Sequence, residues 1–298
     1  MLDRGSRLIV SSTVRDLGGA VLAGAMLASM LALMLPAGGA CAEIASDWHQ
    51  AYNSRVRLVA ASEAGKAYAA IEIEMAPGWK TYWRNPGDGG GVPPAFSWKE
   101  SGNLLSSVVL YPAPKRIKDA AGDTIGYSGQ VVFPVRFAPA DPARPVKLAL
   151  DLEFGICKDI CVPVEARLEL EVPPRLDGQM PAELTSALER VPRVAEAARS
   201  KDPRVVRREA RLDGDKPRLL LEVDYPGGVE GADAFIEGPD GVFVPQPQLD
   251  ASTSRAGLRR TFIVDLSAGV DVSELRGMRL TVTLTSDAGQ SQAHWPLD

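Results

Sequence analysis

Histidine is almost missing from this 298-residue chain, which has only His49 and His294, near opposite ends of its expected mature form. That leaves no material for a His-rich metal centre and no well-placed base for a Ser-His-Asp hydrolase. Positive charge is also short. Lys and Arg total 33 against 38 Asp and Glu, for a formal net charge of -5. Wrapping nucleic acid or coating an anionic membrane requires a cationic face, so both functions are excluded as leading readings. Beyond residue 42 no apolar run reaches the roughly 20 residues of a membrane span. What is present is globular: 45% hydrophobic, 24% charged, with 28 Gly and 23 Pro, which rules out collagenous and disordered classes. The length fits two modest domains better than one.

Residues 1–42 read as a secretory signal peptide. Arg4, Arg7 and Arg15 form a basic start, and Ala20 to Leu35 is apolar apart from Gly24 and Ser29. Ala40-Cys41-Ala42 is a small-x-small cleavage signature, which predicts cleavage after Ala42. A retained anchor fits less well, because the run is short and carries a cleavage site. Lipidation at Cys41 fits less well too, since Gly38 stands where a lipoprotein signal has a bulky aliphatic residue. Losing three Arg and two Asp takes the net charge to about -6.

The remainder reads as all-β: two β-sandwiches, at 43–173 and 204–298, joined by a helical linker at 174–203. Val56, Leu58 and Ala60 alternate with Arg55, Arg57 and Val59, and Ile71, Ile73 and Met75 alternate with Glu72 and Glu74. Val131 to Phe137 repeats the pattern, with Pro134 suggesting an edge strand. Val146 to Phe154 and Val164 to Val172 are two amphipathic strands that predict an antiparallel pair. Pro173-Pro174 stop the sheet. Pro181 to Arg190 reads as a short helix, resuming after Pro192 as Arg193 to Arg199. Further strands are expected at Leu219–Tyr225, Leu258–Leu266 and Leu280–Leu284. Arg204 to Arg211 reads as a solvated basic face, and Gly87 to Gly91 as a flexible turn lacking the Lys-Ser/Thr of a phosphate loop. Trp79, Tyr82, Trp83 and Trp98 read as core residues before groove residues.

With Cys41 lost to processing, Cys157 and Cys161 are one pair in a compartment that permits disulfides. In an extended strand they would stand about 13 Å apart, so a bridge needs a turn, which Gly155 and Pro163 frame. Three readings stay open. An inert staple is weakened by its small ring, worth only roughly 2 kcal/mol of loop entropy. A redox pair is favoured by the reducibility of exposed small rings; Lys158 would stabilise a nearby thiolate and Asp159 would oppose it. Two thiolates could also hold Cu(I), but two ligands leave the site open and Met75 and Met180 read as core and linker.

Four ordered motifs carry a resemblance: Gly78-Trp-Lys-Thr-Tyr-Trp-Arg-Asn-Pro86, Tyr111-Pro-x-Pro114, Gly126-Tyr-Ser-Gly-Gln-Val-Val-Phe-Pro134 and Cys157-Lys-Asp-Ile-Cys-Val-Pro163. Over roughly residues 45–173 the chain resembles the amino-terminal periplasmic domain of DsbD-type thiol:disulfide interchange proteins, with the ScsB copper-tolerance relatives closest in pattern. The resemblance implies an immunoglobulin-like fold for the sandwiches and a redox-active pair in the periplasm, needing no cofactor and relaying electrons through Cys157 and Cys161. Its partners would be a thioredoxin-like domain or protein, a membrane electron-transfer partner and oxidised protein clients. It implies that Cys161 is the attacking cysteine, that a cap loop falls at Lys115 to Gly122 with Asp119 helping to shape the site, and that Tyr127 is the aromatic beside it. The cysteine spacing is shorter than in DsbD itself, and the cap phenylalanine has no counterpart here. With neither a membrane channel nor a thioredoxin domain in the sequence, separate partners are expected. The competing reading is a binding or adaptor module with a structural disulfide. Exchange chemistry is expected to lie wholly in the first sandwich, the second serving as spacer, docking surface or stabilising neighbour.

Overall fold

The computed structural model describes residues 43–118, 122–176, 180–252, 257–267 and 269–297. The expected leader and Asp119 lie outside the described residues. In chain order the first sandwich contains β1 (Ile44–Ala45), β2 (His49–Ala51), β3 (Ser54–Glu63), β4 (Lys66–Met75), β5 (Lys80–Tyr82), β6 (Ala95–Ser97), β7 (Leu104–Val109), β8 (Lys115–Ile117), β9 (Thr124–Ser128), β10 (Gln130–Pro139), β11 (Val146–Cys157) and β12 (Cys161–Val172). One sheet runs β1-β3-β4-β10-β7, with β2 on β3; the other runs β12-β11-β5-β9-β8, with β6 on β11.

Period-2 patterning decides which faces meet. Val56, Leu58, Ile71, Ile73, Val131 and Phe133 from one sheet pack on Leu148, Leu150, Leu152, Phe154, Val164, Ala166 and Leu168 from the other. Glu165, Arg167, Glu169 and Glu171 alternate with these on β12 and stay exposed. Pro134 is the exception to the sequence reading: β10 is an interior strand between β4 and β7. The β7 ladder reaches only Val135 opposite Val109, and Pro134 accepts from Leu110 N just beyond it. The missing N–H therefore falls where the ladder has ended, and proline is tolerated.

The second part contains α1 (Ala182–Glu189), β13 (Arg193–Val194), β14 (Arg204–Arg211), β15 (Arg218–Asp224), β16 (Asp233–Glu237), β17 (Gln248–Leu249), β18 (Arg259–Asp265), α2 (Val272–Leu275), β19 (Arg279–Ser286) and β20 (Gly289–Pro296). Its two sheets are ordered β13-β20-β19-β16 and β14-β15-β18-β17, around Leu219, Leu221, Val223, Tyr225, Phe262, Val264, Leu280, Val282, Leu284 and Trp295. The basic run at 204–211 is the edge strand β14, where charged side chains suit the exposed edge. Arg207 pairs there with Glu222 at 3.0 Å and Glu209 at 2.7 Å.

The linker is half helix and half not. Leu184 and Ala187 of α1 pack on Val59, Tyr68, Ala70 and Val132, giving the first sheet a second covered face. The helix does not resume after Pro192. The residue before a proline is pushed out of the helical region, so the chain leaves in extended form. Arg193 and Val194 then pair in parallel with Ser291 and Gln292 of β20, and a single 3₁₀ turn follows at Ala195–Ala197.

The two sandwiches share a core. Phe235, on β16 of the second, is fully buried within the hydrophobic cluster of the first, its ring 5.9 Å from that of Trp83. Nearby, Arg116 on β8 makes a two-pronged bond to Asp233, both contacts at 3.0 Å. Phe235→Ala should therefore destabilise the chain by roughly 3–5 kcal/mol, the usual range for removing a buried phenylalanine. The measurement is urea unfolding followed by tryptophan fluorescence. A loss below about 1 kcal/mol would mean that the slot closes without its plug.

Candidate functional site

The β11–β12 hairpin builds the site. Its register is unbroken over twelve pairs, from Val146 opposite Val172 to Cys157 opposite Cys161. Lys158, Asp159 and Ile160 make the turn, with Lys158 N donating to Ile160 O at 3.1 Å. Facing positions at the end of an antiparallel pair bring the two Cα atoms to 4.2 Å, and the cysteines are disulfide-bonded. Gly155 stands opposite Pro163, whose missing N–H is harmless because β12 is the outer strand of its sheet.

The two sulfurs differ in environment. Cys157 is 1% exposed, whereas Cys161 is exposed. The difference comes from β5, which pairs with the other side of β11 through Ile156–Thr81 and Cys157–Lys80. Thr81 Oγ1 donates to Gly155 O at 2.8 Å and ties the strands together. The next residue, Tyr82, is buried, and its hydroxyl oxygen lies 2.6 Å from Cys157 Sγ and 3.1 Å from Cys161 Sγ. A phenol is a good donor and a thiolate a far better acceptor than a disulfide sulfur, so this contact strengthens when the bridge is reduced.

A loop from Trp83 to Pro94 closes over the tyrosine. Gly155 N donates to Val92 O at 3.0 Å, fixing the loop's end to β11. Gly91 has a φ of 147°, and a Cβ at that position would run into the Tyr82 ring. Glycine is required there by both conformation and space.

The other expected site residues fall in different places. Lys158 and Asp159 are exposed in the turn, and the Lys158 stem crosses Gly78, with its Cε 3.3 Å from where a Cβ on that glycine would sit. Tyr127 is not beside the sulfurs. It is buried in the core, its ring 5.5 Å from Phe133 and its hydroxyl donating to Pro112 O at 2.8 Å. Burial pushes that hydroxyl well above the usual tyrosine range. The physical reason is parity: Tyr127 pairs with Thr81, whereas Tyr82 is one residue on and so projects from the opposite face. Of the expected cap segment, Lys115–Ile117 form the outer strand β8, and residues 119–121 are not among the described residues. Tyr82 and the covering glycine loop were missed because both had adequate bland readings. The available signal was the alternation Lys80-Thr81-Tyr82, which puts Lys80 and Tyr82 on the face opposite Thr81. Among the described residues no group of three or more His, Cys, Asp or Glu is arranged to hold a metal ion.

Gly91→Ala tests the cover. The added methyl must displace the Tyr82 ring or open the loop, so the expected result is a lowered melting temperature and a changed near-ultraviolet tyrosine dichroism. An unchanged spectrum would place the loop away from Tyr82.

Residues 43–173 match the family described as thiol:disulfide interchange protein DsbD, N-terminal, and residues 190–296 match a domain family of unknown function. No curated protein matches the chain. Among solved structures, the N-terminal periplasmic domain of ScsB from Proteus mirabilis is similar, with a TM-score of 0.66 and 23% identity over 86% of this chain and 99% of that one. That likeness extends the shared fold across both sandwiches. Over residues 43–173 the first sandwich of this chain is thus similar in sequence to the family of DsbD amino-terminal domains, and its strands and paired cysteines lie within that match.

Proposed function

We propose that the chain is a periplasmic thiol-disulfide exchange protein in which Cys161 is the sulfur that partners reach and Cys157 is the one released. The observation that carries this reading is the asymmetry of the pair: Cys161 is exposed, and Cys157 is buried under a tyrosine hydroxyl. A thiolate of a reduced thioredoxin-like donor attacks Cys161 Sγ. The Cys157–Cys161 bond breaks, a mixed disulfide forms, and Cys157 leaves as a thiolate that accepts the Tyr82 hydrogen bond. The donor's second thiol then attacks its own bridged sulfur, so the donor leaves oxidised and Cys161 is freed. Two electrons have moved onto the pair. In the second half-reaction Cys161 attacks a client disulfide and Cys157 resolves the mixed disulfide, returning the pair to its oxidised form. Nothing beyond the sulfurs and protons is consumed, and no cofactor takes part. A membrane electron-transfer partner would in turn re-reduce the donor.

The adaptor reading, with Cys157–Cys161 as a staple, is less well supported. The bridge closes only about five residues, worth roughly 2 kcal/mol, and the hairpin it joins already has twelve register pairs. A bond so redundant for the fold is available for chemistry.

Cys157→Ala should trap a partner in a long-lived mixed disulfide through Cys161, and Cys161→Ala should trap far less, as read by non-reducing gels. Equal trapping would remove the assignment of roles. Tyr82→Phe should lower the reduction potential by about 30 mV, because about 1.4 kcal/mol of stabilisation is lost from the reduced form alone. The check is equilibration against glutathione. A potential that stays constant or rises would exclude the hydroxyl as a thiolate donor.

A further inference from the structure

We infer that the carboxy-terminal sandwich holds the Trp83–Pro94 loop closed over Tyr82, and so tunes the acidity of Cys157 from a distance. This inference rests on the exchange reading above and adds to it a positioning role for residues remote from the sulfurs.

The loop has two ends with different partners. Its far end, Gly91 and Val92, lies on the Tyr82 ring and on β11. Its near end is bound both to β9, where Trp83 N donates to Ile125 O and Ile125 N to Pro86 O, each at 2.9 Å, and to the second sandwich. Arg84 Nε and Nη2 donate to the two carboxylate oxygens of Glu237 at 2.9 and 2.7 Å. Asn85 Nδ2 donates to Ile236 O at 3.3 Å, and the Gln246 backbone N–H donates to the Asp88 carboxylate at 3.1 Å. The Arg84–Glu237 pair is two-pronged and mostly buried, with 30% and 15% side-chain exposure, so it is held more firmly than a surface ion pair.

Between Asp88 and Val92 stand Gly89, Gly90 and Gly91. Three successive glycines have the largest backbone freedom to lose and no side chains to pack, so the closed form is not secured from within. Within this stretch, Gly90 N donates to Gly87 O at 3.1 Å, which is a single turn contact. Restraint comes from outside the glycines: from the first sandwich, where Ile125 N donates to Pro86 O at 2.9 Å and Gly155 N to Val92 O at 3.0 Å, and from the contacts to Glu237, Ile236 and Gln246, which add the hold on the Arg84–Asp88 stretch. Released, the loop would no longer confine the Tyr82 ring. The hydroxyl would then lose its fixed aim at Cys157 Sγ, 2.6 Å away. Arg84, Asp88 and Glu237 are thus positioning residues, acting through the loop on Tyr82.

The test uses the full chain from residue 43, reduced, with the cysteines alkylated by iodoacetamide across a pH series. The double variant D88A/E237Q should raise the pH midpoint of Cys157 alkylation by about one unit, the scale of one charge-assisted hydrogen bond. Tyr82→Phe should raise it by the same amount, and the triple variant should shift no further, because both changes remove one interaction. Val264→Ala, buried in the second sandwich away from the loop, should lower the melting temperature without moving the midpoint. An unmoved midpoint in D88A/E237Q overturns the inference. So does a full additional shift on the Tyr82→Phe background, which would route the effect around the tyrosine. Should the double variant lose its cooperative melt, Asp88→Ala alone alters only an exposed residue. A smaller upward shift then supports the inference and none overturns it. Alkylation needs no protein partner, so this result is independent of the trapping experiment that decides the exchange reading.

Discussion

The site depends on the register of one hairpin. Twelve consecutive pairs between β11 and β12 fix Cys157 opposite Cys161, and a slip of one residue would send every side chain of β12 to the other face. That slip is prohibited by burial. Val164, Ala166, Leu168, Leu170 and Val172 would go to solvent, while Glu165, Arg167, Glu169 and Glu171 would enter the core. The facing of the two cysteines is therefore maintained by apolar residues as far along β12 as Val172, and the frame does not depend on the bond itself.

A second constraint links the two halves. Phe235 fills the end of the first core, and the same strand, β16, carries Glu237 two residues on. One short strand therefore both completes the packing of the first sandwich and binds, through Arg84, the loop that lies on Tyr82. Of the expected roles for the second sandwich (spacer, docking surface or stabilising neighbour), the packing of Phe235 bears on the last.

Most of the fold was legible because strands with one wet face announce themselves by alternation. The β3, β4, β11, β12, β15 and β19 patterns all correspond to strands whose inward residues are buried. The failures have specific causes. Pro134 misled because the rule against interior proline concerns a hydrogen bond to a neighbour, and here the neighbour has already ended. Arg193 to Arg199 has helix-compatible composition, yet Pro192 and a free edge on β20 offered an extended alternative. Tyr82 was hidden by its own burial: a tyrosine in a sandwich is usually core, and it is core here as well as contacting both sulfurs. Only the three-dimensional closeness of β5 and β11, 74 positions apart at Thr81 and Gly155, separates those two descriptions.

The outer position of β12 has a consequence for life in a crowded compartment. An open strand edge is a template for another strand, and here that edge runs up to the exposed Cys161. Here the edge carries Pro163, which offers no donor, as its third residue, and beyond it the exposed side chains are Glu165, Arg167, Glu169 and Glu171. An in-register copy in parallel would stack glutamate on glutamate, and the energetic penalty of that stacking keeps the edge unzipped. The acidity of the chain, which at first only excluded nucleic acid, thus also works as insulation along the side of its cysteine hairpin.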